Sequence, residues 1–171
     1  MDFFKTIESR HSYRGAFTDT PVLEDDLIKI IDAGLRAPSG CNAQTTSFIV
    51  VINKKVRSEI SKLLPNKNVV TAPVIIIAVT EKVTFDFGLD FEIEDYSAAV
   101  ENIHLAATAL GYASCWLDGQ TRIDGVSGAL EKLLNIPLGK QVRSILPIGT
   151  PVQPGKQAAK KPFNERVEWV R

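Results

Sequence analysis

The sequence predicts a domain of the α+β or α/β class, with helices and strands alternating irregularly. Two apolar runs, residues 48–52 and 73–79, are rich in β-branched residues and read as buried strands. Tyr96, Ala99, Val100, Ile103, Ala106, Ala107 and Leu110 recur with helical spacing and mark the strongest helix. No repeat or linker divides the 171 residues, a length that suits one domain with a sizeable core.

The remaining elements follow in order. Asp2 can cap a short helix that carries Phe3, Phe4 and Ile7 inward and ends near residues 10–15. A second helix sets Leu23, Leu27, Ile30, Ile31 and Gly34 on one face. Its first turn holds Glu24, Asp25 and Asp26, which suits the positive end of the helix dipole. Pro38 follows its end, and a polar loop at 37–44 leads into the first strand. Residues 54–64 read as an exposed helix stopped by Pro65. Pro73 stands at a strand start, where a missing N–H is tolerated. Residues 81–94 mix Phe85, Phe87 and Phe91 with acids and show no clear period. Gly111 caps the alanine-rich helix. Residues 113–117, 127–134 and 142–148 read as strand, helix and strand, and 167–170 alternate weakly as a strand.

Lys plus Arg equals Asp plus Glu, at 20 each, so the zero balance argues against general nucleic-acid binding. The two cysteines, Cys41 and Cys115, form no CxxC or Cys/His cluster, which argues against zinc. The N-terminus lacks a signal-like apolar region, and no apolar run approaches a membrane span. A cytoplasmic setting with reduced thiols is the expectation. No G-x-G-x-x-G follows a strand and no Walker A motif occurs, so a single Rossmann unit is disfavoured.

Three clusters could carry chemistry. In Arg10-His11-Ser12-Tyr13-Arg14, guanidinium forks and a hydroxyl suit phosphate oxygens, though taken alone the cluster is more simply a solvated basic helix end. In Pro38-Ser39-Gly40-Cys41-Asn42-Ala43-Gln44, uncharged donors and acceptors suit a planar heteroaromatic ring; a capped turn is the alternative. Leu146-Pro147-Ile148-Gly149-Thr150-Pro151 ends a strand on glycine, which permits close approach of a ligand. Lys156, Lys160 and Lys161 beyond it could complete an anion site or form an exposed basic tail.

In order, these segments resemble the nitroreductase family. Its members carry R-R-S-x-R after the first helix and a P-S-x-x-N-x-Q-like loop before the first strand. An alanine-rich helix then runs to a G-x-x-x-x-W-like strand, followed by a P-x-G strand end and a late basic residue. The matching stretches here are residues 10–14, 38–44, 95–116, 147–149 and 160–162, nearly the whole chain. The resemblance implies one α+β domain over residues 1–171, α/β-like in its three layers, with a mixed or antiparallel sheet flanked by helices. It implies a homodimer with FMN at the interface, and the apolar tail at 163–170 suits a C-terminal segment exchanged between subunits. By position, Arg10, His11, Ser12 and Arg14 would meet the flavin phosphate or ring edge, and Lys160 or Lys161 the phosphate. Pro38, Ser39, Gly40, Asn42 and Gln44 would approach from the other subunit. Leu117, Asp118 and Gly119 would lie at the reactive edge, with Asp124-Gly125 as the alternative, and Pro147, Ile148 and Gly149 would line the ring.

The chain departs from the pattern at His11, where the family has a second arginine, and at the C-terminal lysines, which lose bidentate geometry. It is also short for the family, so a small or differently built lid is expected. The implied reaction is ping-pong: NADH or NADPH reduces the flavin, then a nitroaromatic, quinone or related acceptor reoxidises it, with no side chain as catalytic acid or base. A reductive dehalogenase or a non-catalytic flavin-binding protein are the alternatives. His104 reads as a core or interface histidine, Cys41 as a packing residue, and Glu92, Glu94 and Asp95 as a solvated helix start rather than metal ligands.

Overall fold

The computed structural model describes residues 1–171. At its centre lies β2 (Val74–Glu81), paired with β1 (Thr46–Val51) on one side and β4 (Lys140–Gly149) on the other. The two-residue β3 (Ala113–Ser114) pairs with the end of β4. The order is β1-β2-β4-β3 and every pair is antiparallel. Alternate side chains leave opposite faces of a strand. Val74, Ile76 and Ala78 therefore enter one core with Leu27, Ile30, Val100 and Ile103, while Ile75, Ile77 and Val79 enter another with Ile60, Val69 and Leu130. The first core is covered by α2 (Glu24–Leu35) and α5 (Glu92–Ala109). The second is covered by α3 (Lys54–Leu63), α4 (Lys67–Thr71) and α6 (Val126–Leu133). The result is three layers. Because β2 is covered on both faces, its sequence is a continuous apolar run rather than an alternating one.

The ladder has one irregularity. The pairing of β2 with β4 slips between Ala78 and Val79, which face Ser144 and Val142 and leave Arg143 unmatched. The bulge directs Arg143 to Glu92 at the start of α5, where the two form an ion pair. Arg143 Nε also donates to Thr80 Oγ1 at 3.3 Å.

Several expectations are corrected. β1 is a half-exposed edge strand, not a buried one, because nothing in the chain pairs with its outer edge. In α1 (Phe3–Ser9) only Thr6 is buried; Phe3 and Phe4 are 65% and 74% exposed, since this two-turn helix rests on α5 through a narrow face. Glu92 and Asp95 are buried, not solvated, because α5 begins four residues before Tyr96, under the loop that precedes β1. The strand expected at 113–117 is two residues plus a single bridge from Leu117 to Ile145. Residues 167–170 form no strand; the tail holds only a short 3-10 turn at Phe163–Glu165. α4 went unforeseen, being too short for a periodic pattern.

α2 crosses α5 closely at Gly34, where an added Cβ would lie 2.8 Å from Ile103 Cγ1 and 3.0 Å from Phe48 Cε2. Gly34→Ala therefore forces apart two packed layers. That overpacking costs about 1–3 kcal/mol, more than the roughly 1 kcal/mol of helix propensity gained. Calorimetry should find the melting temperature lowered by about 2–4 °C; a rise would show that α2 and α5 do not pack this way.

Candidate functional site

Chain entry and exit meet beside α5. The segment after α1 passes along β3, with Tyr13 N donating to Ser114 O at 2.9 Å. The segment after β4 returns alongside it. Gln157 fastens this return: its Nε2 donates to the carbonyls of Ile7 and Arg10, both at 2.9 Å. Between them lies a pocket of about 220 Å³ lined by Arg10, His11, Ser12, Arg14, Lys156 and Lys160, among others. Its cations are sparsely engaged. Arg10 Nε pairs with Glu101 at 3.1 Å, Arg14 reaches only the carbonyl of Ser12 at 3.3 Å, and the two lysines form no ion pair. His11 Nδ1 lies 2.9 Å from the carbonyl of Ser9, while Nε2 is buried without a partner. Lys161 is exposed and lines no part of this pocket.

Arg14 also lines a second pocket, of about 600 Å³, with Asn66, Lys67, Asn68, Trp116, Leu117, Asp118, Gly119 and Gln120. Asp118 is fixed by three contacts: Tyr96 Oη donates to its Oδ1 at 3.0 Å, Arg122 Nε donates to the same atom at 3.1 Å, and Arg122 Nη2 pairs with Oδ2 at 2.6 Å. Burial and the bond to Asp118 raise the Tyr96 pKa and hold its hydroxyl protonated. With the side chain so occupied, the backbone N–H groups of Asp118, Gly119 and Gln120 donate to nothing in the chain. Asp124 and Gly125, the alternative contact, instead turn the chain through positive φ into α6 and line neither pocket. Asn66, Lys67 and Asn68 escaped sequence reading because α4, which presents them, did.

The loop at 38–44 stands apart from both pockets. Cys41, Asn42 and Gln44 all hold positive φ, near 50–56°, a conformation that costs non-glycine residues of order 1 kcal/mol or more each. Cys41 is exposed, so it is not the packing residue expected. The side chains of Asn42 and Gln44 are exposed and make no hydrogen bond in the chain, while Ser39 Oγ accepts from Gln44 N at 3.0 Å. Phe91 seals the loop from behind: a Cβ on Gly40 would lie 2.3 Å from its ring. Phe85 and Phe87 stack beside it, with centroids 5.3 Å apart. Pro147, Ile148 and Gly149 line neither of these two pockets. They are buried in the sheet, and Gly149 packs against Pro73 and Phe17, so these residues frame the site from inside.

Fold and site define a three-layer α+β protein with a basic pocket opening beside one rich in free backbone donors. The model of the nitroreductase family matches residues 7–67 and 54–150. The chain belongs to the nitroreductase family. A relative from Archaeoglobus fulgidus, provisionally designated an NADH dehydrogenase/NAD(P)H nitroreductase, is 34% identical over 86% of this chain and 84% of its own. An FMN reductase [NAD(P)H] from Bacillus subtilis is 29% identical over 94% of this chain and 69% of its own. A solved FMN-dependent nitroreductase from Clostridium difficile is 27% identical, with a TM-score of 0.83 and 99% of each chain covered. No helix is long and apolar enough to cross a membrane.

Behind the basic pocket, His104 is buried on α5 with Nδ1 2.8 Å from Ser114 Oγ and Nε2 without a partner. Burial, aided by the positive charge of Arg10 and His11, lowers its pKa from 6.5 to about 4. As pH falls from 6.5 to about 4, the unfolded chain takes up a proton that the folded site refuses, so stability is lost through that window. The full effect is about 3 kcal/mol. Urea unfolding at neutral pH and near pH 4 should show this loss, and His104→Asn should reduce it; an unchanged acid limb in the variant would refute the assignment.

Proposed function

We propose that this protein is an FMN-dependent NAD(P)H oxidoreductase that reduces a nitroaromatic, quinone or related acceptor. One observation carries the reading: Arg14 lines both pockets, so an anion site adjoins a site with free backbone donors. A ligand with a phosphate at one end and a planar, hydrogen-bonding ring at the other needs that adjacency. The donor set fits it. Arg10, Arg14, Lys156, Lys160 and the Ser12 hydroxyl would hold the phosphate, and His11 lines the same pocket. The N–H groups of Asp118, Gly119 and Gln120 would meet ring heteroatoms, and that of Gly119 is the candidate partner for the ring nitrogen at the reactive edge. When bound, FMN supplies the redox chemistry, accepting a hydride equivalent from NAD(P)H and passing electrons to the acceptor. This chain's residues bind and orient. The Tyr96, Asp118 and Arg122 bonds keep the backbone donors aimed, and Trp116 and Leu117 exclude water from the inner wall.

The active unit is a homodimer. Within one chain the strained loop at 38–44 shares no pocket with Arg14, and a partner's copy would bring Pro38, Ser39, Gly40, Asn42 and Gln44 to the ring. Phe3, Phe4, Phe163, Trp169 and Val170 are exposed and apolar, more than a stable monomer leaves uncovered without reason. The tail would cross to the partner. The unpaired edge of β1, flanked by an apolar groove of about 890 Å³ that includes Ile28, Leu35 and Ile52, offers it a surface.

The purified protein should show flavin absorption bands, and denaturation should release FMN. A protein that stays colourless after incubation with excess FMN refutes the reading. NADH or NADPH should bleach the flavin rapidly under nitrogen; slow bleaching would mark a binding protein instead of an enzyme. Arg14→Ala should weaken FMN about tenfold or more while changing riboflavin affinity little, because the lost contact is to the phosphate. Deleting the residues after Gly155 should reduce dimerisation and flavin retention together, as read by size-exclusion chromatography.

A further inference from the structure

The loop at 38–44 is held by one carboxylate. Asp95, in the first turn of α5, is 4% exposed. Its Oδ1 accepts from the backbone N–H of Gly40 at 2.8 Å, and its Oδ2 accepts from Thr45 Oγ1 at 2.7 Å. The two oxygens thus close the span from Gly40 to Thr45 at both ends. Between those points stand the positive-φ residues Cys41, Asn42 and Gln44. Inside the span, only Asn42 N to Ser39 O, Ala43 N to Gly40 O and Gln44 N to Ser39 Oγ link the turn. Bonds this local do not offset three unfavourable φ values, so an outside restraint is required. Thr45 is itself anchored to the sheet, its carbonyl accepting from Glu81 N at 3.1 Å. Asp95 is anchored in turn by α5, where its own N–H donates to Phe91 O at 2.8 Å.

We propose that Asp95 is a positioning residue for the flavin-contacting loop. It does not touch the cofactor. It sets the loop in the strained conformation that leaves Asn42 and Gln44 exposed, with Ser39 and Gly40 half-buried beside them, so that FMN binds without having to order the loop first. This rests on the reading of FMN as the cofactor.

Glu92 supplies the comparison, because it is buried one turn earlier on the same helix, forms its ion pair with Arg143 and makes no hydrogen bond to the loop. The experiment measures FMN released on dilution of the holoprotein, by flavin fluorescence, together with hydrogen exchange of residues 38–45. Asp95→Ala should weaken FMN retention about tenfold and speed exchange in the loop. Asp95→Asn can still accept from Gly40 N–H while its amide donates to Thr45 Oγ1, and should restore retention to within about threefold of the parent. Thr45→Val, which removes one of the two bonds and little else, should weaken retention about threefold and serves if Asp95→Ala does not fold. Glu92→Gln should lower the melting temperature yet leave FMN retention within about twofold. Equal losses of FMN in Asp95→Ala and Glu92→Gln would overturn the proposal, as would Asp95→Asn binding no better than Asp95→Ala. A parent protein that takes up no FMN would instead remove the cofactor reading. The exchange measurement needs no flavin and still decides whether Asp95 holds the loop.

Discussion

Burial of β2 on both faces is the constraint on which the rest of the molecule depends. A strand with apolar side chains on both sides must be covered twice, and its two neighbours must leave no gap in the ladder. Covering one face places α2 and α5 side by side, close enough that only glycine fits at position 34. Covering the other draws in α3, α4 and α6. Once α5 lies across the sheet, its first turn and its inner face are fixed. The first turn carries Asp95 to the loop before β1 and Glu92 to the bulge in β4. The inner face carries His104 to Ser114 and Tyr96 to Asp118. The site is built around one helix because the sheet leaves that helix one place to lie.

Two buried carboxylates and a buried imidazole lie on the helix around which this arrangement is built. Asp95, Glu92 and His104 are each almost wholly buried, and each engages a neighbouring element rather than its own helix. Such groups stabilise only while their partners stay in place, since removing a partner leaves a buried charge or dipole without compensation. They therefore fix geometry more than they add to stability. His104 illustrates the cost: its neutral form suits the core, and stability declines when the surrounding pH favours the cation.

Strain and unsatisfied capacity concentrate on the surfaces proposed to meet the cofactor. The loop at 38–44 holds three non-glycine residues at positive φ, and the turn after β3 offers three backbone N–H groups without partners. The basic pocket gathers cations from two distant segments with few anions among them. A domain under selection for stability alone would have little use for any of these, although within one chain the loop stands apart from the two pockets.

The sequence by itself determined the class of the fold, the long apolar run of β2, the alanine-rich helix and the order of motifs that marks the family. These are legible because period, composition and motif spacing are local properties of the chain. It also marked Arg10, Ser12, Arg14 and Lys160, whose chemistry suits phosphate wherever they sit. The tertiary structure decided what depends on long-range contact. Glu92 and Asp95 look like a solvated helix start until the β4 bulge and the loop before β1 arrive to bury them. Gly119 stands beside Asp124-Gly125 as its alternative in sequence; that Gly119 lines a pocket while Asp124 and Gly125 turn the chain into α6 is visible only in three dimensions. Phe3 and Phe4 read as core by residue type and stand in solvent because α1 is too short to turn both inward. Hydrophobicity and spacing specify an element, whereas which neighbour covers it is settled by packing among segments far apart in the chain.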